Sequence, residues 1–238
     1  MWRFIMPDTK IGYSGCQAIL SDGSVIWKEG KKAYSIDTHD LYKYWKNPSK
    51  ENTEVDYFEC PQRSEKLVGL FKKYILIDSS ILELGCNVGR NLHYLYESGY
   101  HNLTGVDIND KALQLGKEHY PELSNLNLIC EEIGSTLGRC NKNEFDVIFT
   151  MATLEHIHPK QQSVFSDIGH VAKNYIITCE DEHAIHWRAF SYKYKKLFEY
   201  LGFIELESSE LFCKNDIDNT GDFTLTYRVF KKGNNNEA

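Results

Sequence analysis

The sequence lacks most of the features that would place it outside the ordinary globular proteins. No Cys-x-x-Cys pair occurs among its seven cysteines, which are scattered at 16, 60, 86, 130, 140, 179 and 213. An odd, dispersed set argues against a disulfide framework and offers no zinc spacing. Cys130 and Cys179 lie in apolar runs that read as buried strands, so reduced thiols in a cytoplasm are the expectation. Positive charge is scarce too. Lys and Arg number 27 against 34 Asp and Glu, a formal net charge of −7. Binding a phosphate backbone needs clustered basic side chains, so nucleic acid is not an expected partner. No apolar run approaches the ~18 residues of a bilayer-spanning helix. The opening MWRFIMPDTK has no apolar stretch of the signal-peptide kind, and no internal repeat is visible. What is present suits a globular domain: 42% hydrophobic and 26% charged residues over 238 positions can bury a core and stay in solution.

The first third of the chain is irregular. CQAIL and SVIWKE are short β-like runs separated by SDG, the pattern of a hairpin. An aromatic-rich segment, THDLYKYW, and a polar loop, KNPSKENTE, follow. Leu67, Leu70, Phe71, Tyr74 and Ile75 then mark one apolar face of a helix over 64–75. Regular alternation begins near Ser80. The strands SILELG, NLTGVDI, LNLICEE, FDVIFT and NYIITCE are interleaved with helical RNLHYLYES, DKALQLGKEHY and PKQQSVFSDIGHVA. Asp110 is the expected N-cap of the second of these helices and Pro159 suits the first turn of the third. WRAFSYKYKKLFEYLGF reads as a last helix with Phe190, Tyr194, Leu197 and Leu201 on one face. FIELES and FTLTYRVFKK then follow with no helix between them. Alternating strands and helices imply a parallel sheet, and two strands without a crossover helix pair antiparallel. The expected fold is α/β: a doubly wound, mostly parallel seven-stranded sheet ending in an antiparallel hairpin. A small N-terminal hairpin and lid would occupy 1–63, the main domain 64–232 and a disordered tail 233–238.

In such a sheet the ligand sits at the carboxyl ends of the strands, and the first strand-to-helix turn supplies much of the site. That turn is Glu83-Leu84-Gly85-Cys86-Asn87-Val88-Gly89-Arg90. A dinucleotide fingerprint would need glycine at 85, 87 and 90, and only Gly85 complies. The Gly-Lys-Ser/Thr ending of a phosphate loop is absent. The turn thus allows close backbone approach to a ligand without being built as an anion cradle, or else its glycines only tighten the turn. Asn87 tolerates a left-handed conformation better than most residues. Asp107, ending the second strand, is placed to accept a pair of ribose hydroxyls or to cap the next helix. The third strand ends in Glu131-Glu132-Ile133.

The stretches ILELGCNVGRNL, LTGVDIND and FDVIFTMATLEHI, within about residues 80–205, resemble the class I, Rossmann-like methyltransferase family in its metal-independent small-molecule branch. The resemblance implies S-adenosylmethionine as cofactor. It implies that Glu83, Gly85, Asn87 and Gly89 form the cofactor turn and that Asp107, with Ile108, holds the ribose. A carboxylate followed by a small apolar residue would hold the adenine. Strand length favours Glu132 with Ile133, and Glu131 is the alternative. Thr150, ending strand four, would lie beside the cofactor where metal-dependent relatives carry an Asp, so no catalytic metal is expected. Arg63 would pair with the methionine carboxylate, or else lie on a helix surface. The ELGCNVGRNL turn is also similar to methyltransferases of bacterial surface-sugar pathways.

Candidate bases cluster after strands four and five. His156, beside Glu155 and near His158, is one. His183 and His186, beside Glu180, Asp181 and Glu182, are the others, with His183 favoured because the acids would orient its ring. Trp187 and Arg188 adjoin this second group. His39, Tyr42, Tyr44, Trp45, Tyr57 and Phe58 belong to the expected lid. The expected activity is O-methylation of a small polar acceptor, such as a sugar hydroxyl of a bacterial surface polysaccharide. N-methylation of a small amine or protein side chain and a catalytically silent cofactor-binding protein are the alternatives. Small-molecule or saccharide acceptors are the expected partners.

Overall fold

The structure, a computed structural model, describes residues 15–29, 32–48, 54–58, 60–213 and 223–233. Its centre is a seven-stranded sheet. In chain order the strands are β4 (Ile81–Leu84), β5 (Leu103–Asp107), β6 (Asn127–Cys130), β7 (Phe145–Met151), β8 (Ala172–Glu180), β9 (Phe203–Cys213) and β10 (Phe223–Lys232). Their order across the sheet is β6-β5-β4-β7-β8-β10-β9. The first five are parallel, and β10 runs antiparallel to both its neighbours, β8 and β9. This is the expected doubly wound sheet with a terminal hairpin. Strand order reverses between β4 and β7, and that reversal opens a crevice at the carboxyl ends of the strands.

Successive strand residues face opposite sides of the sheet, and both sides are covered. Ile81, Val147, Phe149 and Ile177 pack beneath α2 (Pro61–Tyr74), α3 (Arg90–Glu97) and α4 (Asp110–His119). Leu82, Leu84, Ile148 and Ile176 pack beneath α5 (Ile133–Leu137), α6 (Ser163–Val171) and α7 (Tyr194–Tyr200). Ile81, Leu82 and Leu84 of β4 are buried, as a central strand covered on both faces requires, and Glu83 is buried among them at the cleft end.

The N-terminal part is a separate three-stranded antiparallel sheet, β1 (Gly15–Ile19), β2 (Val25–Glu29) and β3 (Lys32–Ile36), followed by α1 (Thr38–Lys46). The β1–β2 hairpin is as expected. β3 adds a strand, and the aromatic segment is a helix, capped by the Asp37 carboxylate accepting from the Asp40 N–H. Val25, Trp27, Ile36 and Leu41 form a core of their own that Phe190 completes.

Several local expectations are corrected. Asn109, not Asp110, caps α4: its side chain accepts from the Ala112 N–H, and Asp110 is the first helical residue. α2 begins at Pro61, its pyrrolidine in the first turn where no N–H is needed. Pro159 opens a 3-10 turn, Pro159–Gln161, ahead of α6. The last helix is only Tyr194–Tyr200, and residues 181–193 are mostly loop. Phe190 therefore faces the N-terminal core and not a helix stripe. Cys130 is exposed, because β6 is the outermost strand of the sheet. The expected tail lies outside the described residues after Gly233. Among the described residues no helix is long and apolar enough to cross a membrane.

Candidate active site

A cleft lies at the reversal between β4 and β7, and the loops after β4, β5, β6 and β7 all line it. The turn after β4 has three left-handed residues, Gly85 (φ 73°), Asn87 (φ 48°) and Gly89 (φ 74°). Any side chain at 85 would overlap the Thr153 side chain, so glycine lets the loop after β7 close over the turn. Asn87 supports its own conformation by accepting from the Val88 N–H at 2.8 Å. Its N–H donates to Asp107 Oδ2 at 2.7 Å, and the Asn109 N–H donates to Oδ1 at 2.8 Å. Asp107 thus fixes the cleft ends of β4 and β5 in one arrangement and keeps lone pairs facing the cleft.

Glu83 has a different environment. It is 1% exposed; Oε1 accepts from Asn91 Nδ2 at 2.7 Å, while Oε2 lines the cleft without a hydrogen-bond partner. Burial pushes its carboxyl up to about 8, against the opposing pull of Asn91 and Arg90. Arg90 is buried beside it, its guanidinium donating to Ser64 Oγ (3.0 Å) and the Tyr57 carbonyl (3.0 Å). Arg63 also lines the cleft, with its guanidinium 4.7 Å from the Phe223 ring centroid. At the other end, Tyr42 of α1 donates to Glu132 Oε1, to which Gln161 Nε2 also donates at 3.0 Å. Glu131 is taken up by Arg139 and Thr136.

These residues fit S-adenosylmethionine. An orphaned carboxylate oxygen suits an ammonium group, Arg63 and Arg90 suit a carboxylate, and Asp107 suits a diol. Residues 81–174 match the family described as a methyltransferase domain. That segment carries the methyltransferase domain, and the cleft residues around it suit S-adenosylmethionine as cofactor. A ubiquinone biosynthesis O-methyltransferase of Nitrosospira multiformis is 32% identical over 82 residues, a match spanning 34% of each chain. The matched segment is thus about a third of that relative's length. Among solved structures, magnesium protoporphyrin IX methyltransferase of Synechocystis PCC 6803 with bound SAM aligns with a TM-score of 0.57 at 14% identity. It covers 82% of this chain and 91% of the other. A SAM-dependent methyltransferase of Methanosarcina mazei aligns with a TM-score of 0.56 at 18% identity, covering 69% and 97%. At such identities the likeness is one of fold.

The cleft brings together Glu83, Gly85, Asn87, Asp107, Ile108, Glu132, Ile133, Arg63 and His156. Gly89 is absent from its lining and acts sterically: a side chain there would overlap Leu123. Thr150 is likewise withdrawn. It is 1% exposed and donates to Glu180 Oε1 at 2.6 Å, while Met151, Ala152 and Thr153 reach the cleft instead.

The expected base pair around 180–186 does not assemble. His183 is exposed, outside the cleft, and its N–H donates to Asp181 Oδ1. The acids beside it have other partners: Glu180 accepts from Thr150 and the Thr153 N–H, and Glu182 is held by Arg228. His186 is outside the cleft lining, its ring 6.4 Å from that of His156. His156 alone of the three lines the cleft. Its Nδ1–H donates to the Arg188 carbonyl at 2.8 Å, which makes Nε2 the unprotonated nitrogen, 3.6 Å from Glu155 Oε1, and its ring packs 4.4 Å from that of Trp45. Burial, then the Arg188 cation, lower its pKa to about 3. Among the described residues no group of three or more His, Cys, Asp or Glu is placed to hold a metal ion. Tyr57, Arg90 and Gln161 also line the cleft and escaped the sequence reading as site residues. For Arg90 the signal was its place directly after the glycine turn.

Proposed function

We propose that this protein methylates an oxygen of a small polar acceptor, held between the cofactor cleft and the wall formed by Trp45, Tyr57 and His156. The observation that carries the reading is His156, a neutral imidazole in the cleft wall, fixed in one tautomer by the Arg188 carbonyl, its Nε2 making no hydrogen bond and lying 3.6 Å from Glu155 Oε1. When bound, the cofactor supplies an electrophilic methyl group on a sulfonium. The protein's share is alignment, exclusion of water and removal of the hydroxyl proton. Glu83, Arg63 and Arg90 would hold the amino-acid end, Asp107 the ribose, and Glu132 with Ile133 the adenine. Nε2 of His156 would take the proton as the new C–O bond forms.

The O-methyltransferase relative from Nitrosospira supports an oxygen acceptor. A sugar hydroxyl belongs to this class, and a cytoplasmic site of action suits it. One observation favours a second reading, an amine acceptor. Burial leaves His156 weakly basic, and an amine is already nucleophilic without a strong base.

The test is transfer of labelled methyl from S-adenosylmethionine to matched hydroxyl and amine acceptors. His156→Ala is expected to lower turnover of a hydroxyl acceptor by ~10²-fold with cofactor binding retained. His183→Ala is expected to leave it unchanged. Equal turnover by wild type and His156→Ala removes the base. Transfer confined to amines establishes the second reading.

A further inference from the structure

Behind the His156 wall two buried N–H donors have no acceptor. Arg188, in the loop between β8 and α7, is 6% exposed, and its Nε has no hydrogen-bond partner. Among the described residues its guanidinium forms no ion pair. The indole Nε1 of Trp45, on α1, is buried and unpartnered as well, and Trp45 lines the cleft. The two side chains are neighbours: the Arg188 guanidinium carbon is 5.8 Å from the Trp45 ring centroid, 5.3 Å from Tyr44 and 5.8 Å from Trp187.

Such a cation is unusual, because buried charges are normally paired. The rings attract it through their π faces, but they accept nothing from its N–H edge. The acids around it are committed elsewhere. Glu155, which feels the Arg188 cation at a distance, has Oε2 accepting from the Asp181 N–H at 2.7 Å and Oε1 3.6 Å from His156 Nε2; Glu180 holds the loop after β7, and Glu182 holds Arg228. Indole and guanidinium only donate. The group that completes them must therefore be a pure acceptor, and negative charge satisfies the cation as well. A planar guanidinium edge matches a planar carboxylate.

We propose that Arg188 and Trp45 anchor a carboxylate carried by the methyl acceptor, so that the substrate is an acidic small molecule. This rests on the reading of the cleft as a methyl-transfer site. The anchor adjoins the candidate base directly: His156 donates to the Arg188 carbonyl and packs on Trp45. It also spans cap and core, since Trp45 comes from α1 and Arg188 from the β8–α7 loop. An anion at Arg188 would cancel one of the influences that weaken His156, so the acceptor would restore basicity to the group that deprotonates it.

Calorimetry on protein saturated with S-adenosylhomocysteine tests this with three probes of similar shape: benzoate, benzamide and phenyl phosphate. Benzoate is expected to bind at least ~10-fold tighter than benzamide, the scale of a charge-assisted pair over a neutral one. Arg188→Met, which keeps the apolar stem, is expected to abolish that preference and to leave benzamide and S-adenosylhomocysteine binding as they were. Trp45→Phe, which keeps a ring but loses the N–H, is expected to weaken benzoate alone. A wild type that binds benzoate no tighter than benzamide overturns the proposal, as does an Arg188→Met variant with the preference intact. Tighter binding of phenyl phosphate overturns the choice of carboxylate. Should Arg188→Met lose S-adenosylhomocysteine and so be unfolded, the wild-type comparison and Trp45→Phe decide. Failure of the wild type to bind S-adenosylhomocysteine would strike the underlying reading and not the anchor.

Discussion

Glu83 has one oxygen satisfied by Asn91 and one left over, and that asymmetry makes it sensitive to protons. With its pKa raised by burial to about 8, the empty protein holds Glu83 protonated at neutral pH. A cofactor ammonium prefers the carboxylate, so cofactor binding at pH 7 is expected to release a proton. Calorimetric enthalpies measured in buffers of different ionisation heat will show it, and Glu83→Gln is expected to remove it. The effect on stability has a definite sign. The unfolded chain ionises near 4.5 and the folded one near 8, so this group costs stability progressively as pH rises across that window. Thermal melts of Glu83→Gln are expected to decline less than wild type between pH 5 and 8. At this scale much was legible. Gly85, Asn87 and Asp107 are contiguous with the strands that carry them, and their chemistry is local. Thr150 is turned inward to Glu180 by strand alternation, and the loop beyond it supplies the cleft.

The elements separate into those with a period and those without. Strands β4, β5, β7 and β8 and helices α2 to α4 announced themselves because burial on both faces of a sheet leaves nearly continuous apolar runs. The loop over 181–193 did not, because its apolar residues happen to continue the spacing of α7. Phe190 shows the difference: it is fully buried, packs with Val25, Trp27 and Leu41, and its N–H donates to the Glu155 carbonyl at 2.7 Å. Phe190→Ala is expected to destabilise the protein by about 3–5 kcal/mol in denaturant unfolding. Because the cavity opens between cap and loop, protease cleavage before β4 is expected to accelerate well ahead of cleavage within 81–180. A uniform response along the chain would mean that Phe190 belongs to the main core.

At the scale of the molecule, the mostly parallel sheet, its terminal hairpin and an N-terminal lid could be anticipated from the sequence, whereas the order of the strands and the contacts that dock the lid could not. The cap is joined by contacts between distant residues. Gln17 Nε2 donates to the carbonyls of His186 and Ala189 at 2.9 and 3.1 Å, and His158 Nε2 lies 3.1 Å from the Ile36 carbonyl. Single polar contacts of this kind leave no periodic trace in a sequence. Tyr42, Trp45 and Gln161 reached the cleft by the same route, and each lies far in sequence from the turn it faces.

With the acceptor placed as proposed, one helix would serve both halves of the cleft, and turnover would have a direction in time. Through Tyr42, α1 closes on Glu132 at the cofactor end, and through Trp45 it forms the wall at the other. An acceptor lodged against Trp45 would hold α1 down over the cofactor, so the cofactor must arrive before the acceptor and its demethylated product must leave after the methylated one. Steady-state rates are expected to show this compulsory order: S-adenosylhomocysteine competes with S-adenosylmethionine and inhibits non-competitively against the acceptor. Release of α1, more than the chemistry beneath it, would then set the pace of the cycle, and a pattern in which either ligand binds first would free the two sites from their common lid.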